Sequence, residues 1–187
     1  MTRFVNSPIR QVIPLNDGWR YRPEPLADCP LPGLDDGAWE PVRLPHVNRE
    51  LPFGDFDETL SQFESSYRKR FSLPALAADQ RAILHFEGVM CAARVWLNGQ
   101  ALGEHRGGYT PFSFDLTPFL APEGDNLLAV AVDSRERSDI PPFGHVVDYL
   151  TYGGIYREVW LEIRSVRHIG SLRVASRVLG PDGRVRP

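Results

Sequence analysis

The side chains best placed to do chemistry in this sequence are acids. Asp148 stands in "VVDYLTYGGIYREVWLEI" (146–163), inside an aromatic stretch closed by Gly153-Gly154. Asp57 and Glu58 are neighbours in "FDE", and Asn48 lies upstream in "LPHVNRE". Two carboxyl groups can divide acid and nucleophile work when they sit about 5–5.5 Å apart. Adjacent residues on an extended backbone point to opposite sides, so Asp57 and Glu58 do not make such a pair unaided. A lone carboxylate has another use. It accepts hydrogen bonds from two hydroxyls at once, and a site built on it rejects a ligand lacking them, because buried acceptors are left unpaired. Asp148 therefore reads either as a hydroxyl acceptor aimed out of the chain or as an Asx-type turn residue ahead of a strand. Asn48, Asp57 and Glu58 could face the same ligand, with a plain surface-loop role as the stronger reading.

Other chemistries are excluded by pattern. There is no G-x-S-x-G elbow, no H-E-x-x-H zinc helix and no G-x-x-x-x-G-K-[ST] phosphate loop. "RGGYTPFSFD" has two glycines but not the strand–G-x-G-x-x-G–helix context of a dinucleotide site. Five histidines (46, 85, 105, 145 and 168) are scattered, and read as surface or loop residues before ligands. Cys29 and Cys91 are too few for a disulfide framework and lack metal-ligand spacing; Cys91 reads as core filler. A net charge of −3 offers no footprint for nucleic acid or anionic membrane. No apolar run reaches the length of a membrane span, and "MTRFVNSPIRQVIPL" lacks the apolar core of a secretory signal. A cytoplasmic location is the expectation.

The elements that must position these residues read as strands. Sixteen glycines and 17 prolines in 187 residues suit short strands joined by turns better than helices, and no amphipathic helix is legible. "SYRKRFSL" (66–73) sets Tyr67, Phe71 and Leu73 on one face and Arg68, Arg70 and Ser72 on the other. "RAILHFEGV" (81–89) turns Ala82, Leu84 and Phe86 inward and Arg81, His85 and Glu87 outward, with Ile83 off pattern. In "AARVWLNGQALG" (92–103), Asn98-Gly99 tolerates the two positive φ angles of a type I′ hairpin turn. "NLLAVAVDS" (126–134) aligns Leu128, Val130 and Val132, and "REVWLEI" (157–163) alternates Val159, Leu161 and Ile163 with acids and Trp160. Many short strands without a repeat imply an all-β, jelly-roll β-sandwich. Two stretches, 44–65 and 133–154, break the rhythm; each runs roughly 20 residues and is rich in aromatics, the signature of an ordered functional loop. After Ile163 a new alternating run (169–178) and the turn Pro181-Asp182-Gly183 suggest residues 1–166 as one domain and 167–187 as the opening of a second. An extra edge strand of the first sandwich is the alternative.

Taken in order, "LPHVNRELPFGDFDE", "SSYRKRF", "LHFEGV", "ARVWLNGQALGEHRGGYTPFSFDLTPFL", "NLLAVAVDS" and "DYLTYGGIYREVWL" resemble the N-terminal sugar-binding domain of glycoside hydrolase family 2, the β-galactosidase and β-glucuronidase family. The resemblance runs from about Leu15 to Ile163. It implies a galactose-binding-domain-like jelly roll followed by an immunoglobulin-like domain, whose first strand residues 168–187 resemble. It also implies a (β/α)8 barrel with both catalytic glutamates, which these 187 residues do not contain. No catalytic residue is thus expected in this chain, and the fragment alone is expected to be inactive. The parent activity implied is retaining hydrolysis of terminal β-linked sugars, with β-galactosidase the leading expectation. The jelly roll of such enzymes lends an aspartate just before "GGIYR" to the pocket rim, and Asp148 matches it. In some β-galactosidases the same aspartate helps hold sodium together with barrel ligands. No cofactor is required, and neither sodium nor magnesium can be assigned to this chain. The implied partners are a carbohydrate substrate and the enzyme's own missing domains, with assembly into oligomers at full length; nucleic acid and membrane are not implied. Two other classes stay open: a stand-alone carbohydrate-binding module without an enzymatic parent, and a small jelly-roll hydrolase or lyase using His and Asp or Glu from the long loops. Trp96, Tyr109, Phe112 and Phe114 could form a sugar-stacking platform but match a scaffold segment. Asp115 and Thr117 read as turn residues, and Arg157 as a structural partner of a carboxylate or loop carbonyl.

Overall fold

The computed structural model describes residues 10–54, 57–121, 124–143 and 149–175. Ten strands account for its regular structure: β1 (Arg10–Pro14), β2 (Trp19–Arg22), β3 (Glu40–Val42), β4 (Glu64–Ser72), β5 (Gln80–Phe86), β6 (Ala92–Leu97), β7 (Gln100–Arg106), β8 (Phe112–Asp115), β9 (Asp125–Asp133) and β10 (Val159–Ser165). Helix among the described residues is confined to 3-10 turns at Glu58–Ser61 and Thr117–Phe119. The strands form two sheets, ordered β1-β10-β5-β8 and β3-β2-β4-β9-β6-β7, with antiparallel pairing throughout. This is the expected all-β sandwich.

Alternation explains the core. Inward residues of the smaller sheet (Ala82, Leu84, Phe86, Val159, Leu161, Ile163) meet those of the larger (Trp19, Tyr67, Val95, Leu97, Val130, Val132) in one buried cluster. Burying a Leu- or Phe-sized side chain contributes about 1.5–3 kcal/mol, so these two inner faces dominate the stability of the sandwich. Asn98 and Gly99, with φ of 52° and 83°, make the β6–β7 turn as expected from the Asn-Gly pair. Asp115 and Thr117 cap the turn after β8: Thr117 N donates to Asp115 Oδ1 at 2.9 Å, and Ala82 N donates to Thr117 Oγ1 at 2.9 Å.

Arg68 lies on the face of β4 opposite Tyr67, as alternation places it, but that face is not open to solvent. Its side chain is fully buried. The segment between β2 and β3 folds across the outer face of the larger sheet, where Cys29 and Trp39 pack on Ala129. Arg68 is caught beneath it. Nε donates to Asp36 Oδ2 at 2.7 Å, and the terminal nitrogens donate to the carbonyls of Cys29, Leu31 and Leu34 at 2.6–3.1 Å. Alternation correctly assigned Arg68 to the outer face, but a non-local segment decided that this face is covered. β1, β2, β3 and β8 also escaped the sequence reading, being only three to five residues long.

Beyond β10 the described chain to residue 175 forms no strand, and Ile169, Leu172 and Val174 are exposed by 80–82%. They add nothing to either sheet.

Candidate functional site

The two long irregular stretches, far apart in sequence, are clasped together in space. His46 N donates to Ile155 O and Asn48 N to Gly153 O, both at 2.9 Å. Met90 N donates to Gly154 O at 3.0 Å from the other side. Ser134, at the start of the second stretch, closes the knot: its Oγ donates to Met90 O at 2.9 Å and accepts from Gly154 N at 3.2 Å. Its own N donates to Phe63 O at 3.1 Å. The glycine pair is required by this geometry. Gly154 has φ of +99°, and a Cβ there would lie 2.7–2.8 Å from Tyr67 Oη, Asn48 N and His46 O. A Cβ on Gly153 would collide with the Asn48 amide and with Ser134 Oγ.

Beneath the clasp lies an aromatic group that the sequence reading did not single out. Tyr21, His46 and Tyr67 sit with ring centroids 4.7–5.7 Å apart. His46 Nδ1 is 3.0 Å from Tyr67 Oη, and Tyr21 Oη donates to Asn48 O at 2.6 Å. Burial pushes the Tyr21 and Tyr67 phenols up and lowers the His46 imidazole, so all three are held neutral. The only sequence signal for this group was the aromatic content near the loops.

Of the candidate residues, Asn48 is placed most firmly. It is 95% buried, and Nδ2 donates to Ser61 O at 2.7 Å, tying the loop back on itself. Its Oδ1 is buried with no hydrogen-bond partner. Asp57 is exposed and caps the turn that follows, its Oδ1 accepting from Thr59 N at 3.0 Å and from Thr59 Oγ1 at 2.5 Å. Glu58 opens the 3-10 turn. Asp148 lies outside the described residues; its chain neighbour Tyr149 is the first residue described after it. Tyr149 rests edge-on against Tyr109 of the β7–β8 turn, centroids 6.5 Å apart. Tyr109 in turn meets Tyr156 at 6.3 Å, and Tyr156 Oη donates to Gly108 O at 2.6 Å. The chain on the C-terminal side of Asp148 is thereby held at both Tyr149 and Gly153.

The four aromatics considered as a platform divide. Phe112 stacks between Phe86 and His105, and Phe114 packs against the main core. Trp96 covers Cys29 and Trp39. Tyr109 alone of the four is substantially exposed, at 40%. The guanidinium of Arg157 lies 5.3 Å from the Tyr156 ring centre. Cys91 is core filler as expected; it is buried, and its thiol is pushed up to about 11 by that burial and by Asp133.

The recess beside the clasp, lined by Met90, Cys91, Ser134, Ile140, Phe143 and Thr151, holds about 20 Å³. That admits one water rather than a sugar ring. Among the described residues no group of three His, Cys, Asp or Glu side chains could hold a metal ion. The arrangement can brace two loops and present what they carry.

A two-sheet antiparallel sandwich that braces long loops at one edge defines the class of this domain. The chain belongs to the glycosyl hydrolases family 2, sugar binding domain, whose family model matches residues 41–164. It is 47% identical over 161 residues to a β-galactosidase of Thermoanaerobacter pseudethanolicus, covering 86% of this chain and 22% of the relative. It is 31% identical over 184 residues to a β-glucuronidase of Formosa agariphila, covering 90% of this chain and 18% of the relative. Among solved structures, the β-glucuronidase of Bacteroides uniformis matches with a TM-score of 0.71 and 34% identity, over 82% of this chain and 18% of that one. The chain thus corresponds to the N-terminal domain of these enzymes and spans about a fifth of the length of the curated relatives it matches.

Proposed function

We propose that this domain serves a retaining β-glycosidase that hydrolyses terminal β-linked sugars, with a β-galactoside as the leading substrate. The single observation that carries the reading is the 47% identity to a β-galactosidase across most of the chain. In this reading the catalytic acid and nucleophile reside elsewhere in the longer protein, and Asp148 reaches the rim of the pocket to accept hydrogen bonds from hydroxyls of the terminal sugar. The braced chain at Tyr149 and Gly153 supports it, since a carboxylate selects hydroxyls only if its backbone is held. Asn48 is assigned to the brace. Asp57 and Glu58 are weaker candidates for the same rim. Residues 167–187 are read as the opening of a second β domain, a role supported by the apolar side chains exposed at Ile169, Leu172 and Val174.

The test is Asp148→Ala in the full-length enzyme. The expected result is a fall in kcat/KM of roughly 10²-fold or more, because a site built to pair a hydroxyl discriminates strongly when the pairing is lost. An unchanged kcat/KM would reduce Asp148 to a turn residue.

A further inference from the structure

A second feature lies on the outer face of the smaller sheet, away from the clasp, and is independent of the reading above. In register, Arg10 of β1 stands opposite Arg164 of β10, and Arg164 stands opposite Arg81 of β5. Opposed residues in antiparallel strands share a face, so three guanidinium side chains lie abreast across three adjacent strands. Strands are spaced about 4.8 Å, which makes the row roughly 10 Å wide. Like charges placed directly opposite one another are destabilising, so the row needs negative charge to offset it.

The chain supplies little. Glu162 is the one described carboxylate that pairs with the row: it takes Arg10 Nε at 2.6 Å and reaches Arg164 at 3.6 Å. Its second oxygen is shared with His85 Nε2 at 3.1 Å. Arg81 has no carboxylate partner among the described residues, and it donates to Gln80 O at 2.8 Å. Arg164 Nε is buried without an acceptor. Asp115 lies one register row along, opposite Ile83, and its Oδ1 is occupied by the backbone of its own turn. Three fixed cations therefore face one carboxylate, with donors to spare on Arg81 and Arg164.

We infer that the Arg81–Arg164 pair, extended by Arg10, is a binding site for an oxyanion. Two arginines paired in register on adjacent strands suit a tetrahedral or planar anion that accepts from both.

Inorganic phosphate is the probe. The melting temperature of the chain is followed at fixed pH in low-millimolar phosphate and in sodium chloride of equal ionic strength. The same comparison is made on Arg81→Gln and Arg164→Gln. At ten times the dissociation constant, phosphate is expected to raise the melting temperature by roughly 3–5 °C more than chloride. That difference is expected to vanish in both variants. Phosphate also stabilises proteins non-specifically by exclusion from their surfaces, but that gain is common to wild type and variants. Arg81→Gln removes no buried ion pair, so it remains informative if Arg164→Gln folds poorly. Equal shifts in the two salts overturn the site, and so does a phosphate effect that survives both substitutions.

Discussion

The amide of Asn48 donates to the carbonyl of Gly153 at 2.9 Å, across more than half the length of the chain. This bond and its neighbour, from His46 to Ile155, turn two irregular stretches into one braced edge of the sandwich. Met90 pairs with Gly154 from the other side, so backbone groups of both stretches are satisfied outside the named strands.

The tightest point of the brace is Gly154. Alanine there would need a positive φ and would press a methyl group into backbone atoms of the opposing stretch. Gly154→Ala is expected to lower stability by about 2–4 kcal/mol, measured as a shift in the urea midpoint with an unchanged slope. A loss below about 0.5 kcal/mol would show that the loops separate without cost.

Arg68 anchors the β2–β3 connection. Replacing it with Met keeps much of the volume but strands Asp36 and three carbonyls beneath the covering segment. Removing one member of a buried ion pair costs about 3–5 kcal/mol. The expected outcome for Arg68→Met is a loss of that order, with proteolytic nicking between residues 23 and 39 ahead of the rest of the chain. Uniform resistance of that segment would mean that Cys29 and Trp39 hold it alone.

Stability should fall on the acid side well before carboxylates titrate. Burial lowers the imidazoles of both His46 and His85; Glu40 and Glu50 oppose it at the first, and Glu162 opposes it at the second. The folded chain keeps them neutral, whereas the unfolded chain takes up protons from about pH 6.5 downward. The unfolded state therefore binds more protons in that window, and stability declines as pH drops from about 7 toward 5. On the alkaline side the raised phenols of Tyr21 and Tyr67 act in the opposite sense: stability is lost above about pH 10, where unfolded tyrosine ionises. Denaturation at several pH values, with His85→Gln as the comparison, checks the acid limb; the variant's slope should be shallower there.

The isolated chain is expected to give no turnover of a chromogenic β-galactoside and no calorimetric signal with galactose or glucuronate. The recess beside the clasp is water-sized, and Glu136 is the one carboxylate among the residues that line it. Clear turnover would point to a self-contained hydrolase, and clear binding to a stand-alone carbohydrate-binding module.

The sequence by itself determined the alternation of the longer strands. Period-2 alternation in β4, β5, β9 and β10 named the inward residues, and Asn98-Gly99 named the hairpin, because a side-chain period and a positive φ are local properties. It also set both long stretches apart from the strand rhythm, through their length and aromatics. The order of motifs carried the family resemblance and singled out Asp148. What the tertiary structure alone decided were contacts between distant segments. Arg68 became a buried hub because residues 23–39 fold over it, and Asn48 became a brace because residues 153–155 reach it. Arg10, Arg164 and Arg81 became a row because β10 pairs with both β1 and β5. No local pattern encodes which strands will neighbour one another, since register is fixed by the packing of the whole sandwich.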